Sequence, residues 1–142
     1  MRRSLTLSGS PQSLTHVVLS LKHRIANEVK VGLHFRKLKF GSLTLKVGKS
    51  DSCFRTVSGD IIVLKNIVRQ QRRVYLIGRK FLALEDYYKY PIPSSDLGIF
   101  RVSALGRERL AFQLSDVKNK CYLMPDGHHY VCVPVLHTSQ SM

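Results

Sequence analysis

Two hydrophobic periods divide this chain. Leu14, Val17, Val18, Leu21, Ile25 and Val29 recur at three- and four-residue spacing behind Ser13, a good N-cap residue. That spacing predicts one amphipathic helix over about residues 14–29. Its opposite face carries His16, Ser20, His23, Asn27 and Lys30, and Leu19 and Glu28 break the pattern. From Leu33 onward the period falls to two. Leu33, Phe35, Leu38 and Phe40 alternate imperfectly with basic residues, Gly41-Ser42 makes a turn, and Leu43, Leu45 and Val47 return, so a hairpin with a basic outer face is expected.

The later segments repeat this theme. A short strand over Ser52 to Val57 is followed by Ile61 to Leu64 and Tyr75 to Ile77, which flank the polar turn Gln70-Gln71-Arg72-Arg73. Gly78 marks a bulge where Tyr75 to Leu84 bends. The prolines and serines of Tyr87 to Asp96 make that stretch a loop, and Ile99 to Val102 and Leu110 to Phe112 resume as strands. Asp126-Gly127 between Lys120 to Met124 and Tyr130 to Val135 is a hairpin signal, with Pro134 placing the return strand at an edge. About eight short strands with turn signals between them point to a mainly β fold: a small antiparallel, partly open barrel or rolled sheet with one N-terminal amphipathic helix. The expected organisation is a flexible tail at 1–12, a helix at 13–30, a β-domain at 31–137 and a tail at 138–142.

Charge changes this picture most. The chain of 142 residues has a formal net charge of +14, and residues 1–50 hold ten Lys/Arg against the single acid Glu28. A solvated surface accounts for scattered lysines, whereas a cluster creates a field for phosphate or for an acidic protein. Two sets flank hairpins: Arg36, Lys37, Lys39 and Lys46, and then Arg69, Arg72, Arg73, Arg79 and Lys80. If both converge on one surface, they make a patch that neutralises several phosphates with little sequence preference. Tyr87, Tyr88 and Tyr90 beside Lys89 form a candidate aromatic surface, able to stack on bases or enclose a methylated ammonium, with core anchoring as the competing role.

Catalytic chemistry finds no starting constellation. Cys121, His128, His129 and Cys132 fall within twelve residues, yet their spacing matches no zinc ribbon or finger, and strand alternation sends the two histidines to opposite faces. Cys121 and Cys132 then read as small apolar residues. Glu85 and Asp86 diverge on a strand, and no Gly-rich phosphate loop is present. No metal, cofactor or enzyme activity is expected. Three cysteines without a secretory signal fit a reducing compartment, and no segment approaches the roughly 18–20 apolar residues of a membrane-spanning helix.

Two resemblances bear on this reading. Gly59-Asp60-Ile61-Ile62-Val63-Leu64, Tyr75-Leu76-Ile77-Gly78-Arg79 and Leu114 to Tyr122 loosely resemble the bromo-adjacent homology (BAH) domain in type and order of strands. No methyl-lysine cage residue is matched. Over the whole chain, Lys22-His23-Arg24-Ile25-Ala26, Phe35 to Phe40, Gly59-Asp60-Ile61 and Cys132 to His137 resemble the C-terminal β-region of uncharacterised transposon-derived proteins. That resemblance implies a product of a mobile element and carries over no catalytic residue. The expectation is a nuclear, non-catalytic basic module for nucleic acid or chromatin with no membrane partner. A protein-interaction domain, or an inactive remnant of a larger protein, is the alternative.

Overall fold

The computed structural model describes residues 4–7, 17–21, 33–48 and 52–135. Eleven strands form one antiparallel sheet: β1 (Ser4–Leu7), β2 (Val17–Leu21), β3 (Leu33–Phe40), β4 (Leu43–Lys46), β5 (Cys53–Thr56), β6 (Ile61–Gln70), β7 (Arg73–Asp86), β8 (Phe100–Leu105), β9 (Leu110–Phe112), β10 (Val117–Asp126) and β11 (His129–Pro134). Six of them close on themselves, because β5 pairs with β6 and β10, β11 with β10 and β8, and β7 with β8 and β6. β1 to β4 and β9 lie outside that ring. Closure leaves the six strands without a free edge along these ladders, the vulnerability that short open sheets must manage otherwise.

The ring interior takes one buried residue from each member strand: Cys53, Ile61, Phe81, Val102, Cys121 and Cys132. A second core lies on the other face of β6, where Ile62, Leu64 and Ile67 pack with Phe35, Leu38, Leu45, Phe54, Val74 and Leu76. β6 is therefore a wall with buried residues on both of its faces. Ile61, Ile62, Leu64, Ile67 and Val68 are each at zero exposure, and a fully buried side chain of this size is worth about 1.5–3 kcal/mol. A run of apolar residues on both parities is what a strand buried on both faces requires.

One residue too many interrupts that wall. The β6–β7 register shifts between Leu64 and Asn66. Asn66, fully buried, uses Oδ1 to accept from the Ile67 N–H at 2.9 Å and Nδ2 to contact His34 Nδ1 at 2.7 Å. The bulge thus keeps its polar groups satisfied. The bulge expected at Gly78 falls instead on the partner strand: Gly78 pairs with Leu64, next to the register shift, and the extra residue lies in β6. A second irregularity sits in β8, where Ala104 takes φ 60. This kink explains how Phe81 and Leu84, of opposite parity on β7, both pack against the ring interior with Leu105 and Val102.

Two expectations need correction. Of the helix over 14–29, residues 14–16 and 22–29 lie outside the described residues, while Val17–Leu21 form a strand paired to β1 and β3. Val17, Val18 and Leu19 are consecutive, and Leu19 fits a strand where it broke the helical stripe. The tail over 1–12 is described only at Ser4–Leu7, which pair with β2. Similarly, β11 is not an edge: it pairs with β10 and β8. Pro134 is tolerated because it ends the strand, and the β8 ladder reaches only Tyr130 to Cys132.

Ser94 ties down the loop after β7. It is fully buried; its Oγ accepts from the N–H of Tyr87 at 2.8 Å and of Tyr88 at 3.3 Å and donates to the Ile99 carbonyl at 2.8 Å. Nearby, the Asp86 carboxylate accepts from the Ser95 N–H at 2.8 Å, and bonding to Ser95 side chain and backbone holds its pKa below the ordinary carboxylate value.

Three outcomes are expected from these contacts. A methyl at Gly78 meets the Ile62 side chain and, at 2.7 Å, the Val63 carbonyl oxygen; overpacking of this kind costs about 1–3 kcal/mol, so Gly78→Ala should lower the urea midpoint correspondingly. Ser94→Ala strands the Tyr87 and Tyr88 amides and should cost about 1–3 kcal/mol, with hydrogen exchange at both amides accelerating while β6 amides stay protected. The Asp86 carboxylate has a depressed pKa, so its contribution is full above about pH 4, the unfolded value, and lost as pH falls through the folded one. Exchange at the Ser95 amide, corrected for intrinsic pH dependence, should therefore quicken on acidification below that range.

Candidate functional site

The basic residues segregate by strand. Residues 33–48 and 61–80 together carry ten Lys/Arg and no Asp or Glu. The described acids fall elsewhere, among them Asp60, Glu85, Asp86, Asp96, Glu108, Asp116 and Asp126. The β3–β4 hairpin sets its charges by a simple device. The β2–β3 register skips Arg36, passing from Ser20↔Lys37 to Leu21↔Phe35, so Arg36 is an extra residue. Phe35 and Leu38 face the second core, while Lys37 and Lys39 take the opposite face. Lys46 stands directly across from Lys37, and Thr44 across from Lys39. Arg36 and Lys39 are exposed; Lys37 and Lys46 are half-buried.

The second basic set only partly joins the first. β3 and β6 are hydrogen-bonded neighbours through Leu33↔Arg69, His34↔Val68 and Phe35↔Ile67. The hairpins therefore adjoin, but their tips do not. The Gln71-Arg72 turn lies at the Leu33 end of β3, and Gly41-Ser42 lies eight residues away, about 26 Å at ~3.3 Å per residue. By register Arg73 opposes Gln70, which shares its face with Val68, His34, Lys37 and Lys46. Arg72 and Arg73 are exposed at the tip, and Arg69 is half-buried on the core-facing parity beside Leu33. Arg79 and Lys80 belong to the ring wall. Arg79 Nε donates to the Gly106 carbonyl at 2.6 Å, and the Lys80 carbonyl accepts from the Gly106 N–H.

Inside the ring, the sequence reading missed a juxtaposition. Cys53 pairs directly with Cys121, and Cys132 pairs with Leu123, which puts it diagonal to Cys121. All three Sγ atoms lie within 4.8 Å of one another, at 0–1% exposure. Only the sheet topology brings Cys53 to the other two, across more than sixty residues; its alternation with buried Phe54 was the one local hint. Asn119 Nδ2 donates to Cys121 Sγ at 3.6 Å. Hydrogen bonds from Cys132 and Cys53, with help from the Arg55 guanidinium and Asn119, pull the Cys121 thiol down to about 4. Cys132 is pushed up, chiefly because its proton is shared with Cys121. Cys53 is pushed up by its bonds to Cys121 and Cys132 and by burial. The two histidines once grouped with these cysteines are not there: His128 lies in the β10–β11 turn and His129 opposes Asp126.

A cavity of about 610 Å³ opens at the ring mouth, lined by Val63, Phe81, Leu105 and Leu123 below and by His128 and Tyr130 at the rim. The tyrosine loop is separate from the basic face. Tyr87, Tyr88 and Tyr90 are exposed by 43%, 37% and 88%, so none anchors a core. Tyr87 already has the Arg101 guanidinium 5.5 Å from its ring centroid and Tyr88 edge-on at 6.1 Å. That cation competes with any ammonium on this ring face. Tyr90 alone stands free to meet a partner.

No curated protein and no solved structure matches the chain. A family model does match, over residues 20–135, and it is that of a domain of unknown function, DUF8592. This span runs from β2 to the end of β11 and contains both cores, so the chain belongs to the DUF8592 family.

Proposed function

We propose that this protein is a non-catalytic binding module for nucleic acid, engaging the phosphate backbone with Arg36, Lys37, Lys39 and Lys46 and extending toward Arg72 and Arg73. The observation that carries this reading is the Lys37–Lys46 pair. Like charges directly opposite on a sheet destabilise it by up to about 1 kcal/mol, and no acid on β3, β4 or β6 offsets them. A phosphate chain laid across the two strands turns that repulsion into affinity. The aromatic that the register places on this face, Tyr75 opposite Val68, is half-buried, so recognition is of backbone charge and carries little sequence preference. A nuclear setting goes with this reading.

A second reading has its own support. Tyr90, Ile92 and Leu97 are exposed by 88%, 43% and 51% on the loop that Ser94 holds rigid. A protein partner suits such a loop. It is favoured if capture of a partner survives nuclease treatment and is lost in Tyr90→Ala.

Fluorescence anisotropy with a mixed-sequence duplex tests the first reading. With four phosphate contacts, log K should fall linearly with log salt at a slope of roughly −3.6. In the double variant Lys37→Gln/Lys46→Gln the slope should shrink by about 2. Binding that is absent, or insensitive to salt, ends the proposal. The same substitution gives a stability test. Lys37→Gln alone should raise the denaturation midpoint, by about 0.2–1 kcal/mol in free energy, while weakening duplex binding. A residue present only for solubility or packing would not trade one for the other.

A further inference from the structure

The ring interior carries chemistry that nucleic-acid binding does not use. We propose that Cys53, Cys121 and Cys132 form a three-sulfur site for a soft monovalent d10 cation, with copper(I) as the ion to test. This inference is independent of the basic face.

Geometry comes first. Three sulfurs bonded to one ion at about 2.3 Å lie roughly 3.8–4.0 Å apart, and here they already lie within 4.8 Å of one another. A shift of well under 1 Å per side chain closes the difference. The three positions come from three strands of one closed ring, and their backbones are fixed by the β5–β10 and β10–β11 ladders. Such a scaffold holds ligands more firmly than loops can.

Ligand type selects the ion. Thiolate-only donors favour copper(I), zinc and iron–sulfur clusters. A zinc ion completes a tetrahedron with a fourth ligand, and among the described residues no histidine or carboxylate joins this cluster. A three-coordinate soft cation needs none. The surroundings also suit an anionic sulfur set: Asn119 donates to Cys121, and the Arg55 guanidinium, resting 5.0 Å from the Phe100 ring centroid, has a buried Nε without a hydrogen-bond partner. An unpaired buried N–H beside the cluster points to negative charge there.

Protons balance the step. Binding of one copper(I) forms three Cu–S bonds, each replacing the S–H bond of a cysteine thiol. Those protons leave to solvent, and no electron is transferred.

The test uses the full chain, reduced and stripped with a chelator under anaerobic conditions. Because the sulfurs are buried, it is refolded with copper(I) supplied from a weak complex and then desalted. The proposal expects one copper per chain, protons released on binding in weakly buffered titration, and X-ray absorption showing three sulfur neighbours. Cys53→Ala/Cys132→Ala should lose retention, and His128→Ala/His129→Ala should keep it. Wild-type protein that folds but retains no copper overturns the proposal, as does a nitrogen-containing coordination shell. Stoichiometric zinc(II) retention with no copper(I) retention overturns the choice of a monovalent ion. Should the double cysteine variant not fold, the wild-type stoichiometry, proton release and coordination decide alone.

Discussion

Everything in this domain hangs on β6 being covered on both faces. Ile61 and Val63 look into the ring, Ile62 and Leu64 look into the second core, and the strand has hydrogen-bonded neighbours on both sides. A strand in that position cannot be displaced without opening two cores together. The bulge at Lys65 and Asn66 is what lets one strand serve both: it re-aims the outer half of the β6–β7 hairpin, and Asn66 satisfies the backbone group so freed. Apolar burial supplies the stabilisation, and the buried Asn66–His34 contact fixes where the bend falls.

From that wall outward, structure sorts the charges. The basic residues of this region divide among the outer face of β3–β4, the β6–β7 tip and, at Arg79 and Lys80, the ring wall. The extra residue at Arg36 sets Phe35 toward the core and Lys37 toward the opposite side. One backbone irregularity therefore sets both the core contact and the basic face. Lys37 and Lys46 oppose each other because the two-residue Gly41-Ser42 turn sets the register in which Leu38 and Leu45 pair and are both buried.

Much of the β architecture was legible in the sequence. Period-two alternation found the Leu33–Val47 hairpin, the polar Gln70–Arg73 turn found the β6–β7 connection, and Asp126-Gly127 found the last one. The stretch from Val17 to Leu21 misled because a run of apolar residues fits both periods, and only the pairing with β1 and β3 decides. Pro134 misled because its cost depends on whether a ladder reaches it, a tertiary fact. The basic sets were visible as composition, but their division between hairpin face, tip and ring wall depends on the β3–β6 register. The cysteine cluster was out of reach for the same reason: Cys53 meets Cys121 only after the chain has closed a ring.

Native-state hydrogen exchange along β6 tests the shared wall most directly. If both faces are buried as described, the amides of Ile62 to Val68 that bond to β5, β7 or β3 should exchange only through global unfolding, with the same opening free energy and the same denaturant slope. The β3–β4 amides should open sooner. Exchange of the β6 amides through a smaller, sub-global opening that leaves the ring strands protected would contradict the account, because it would mean the second core can detach without unfolding the first.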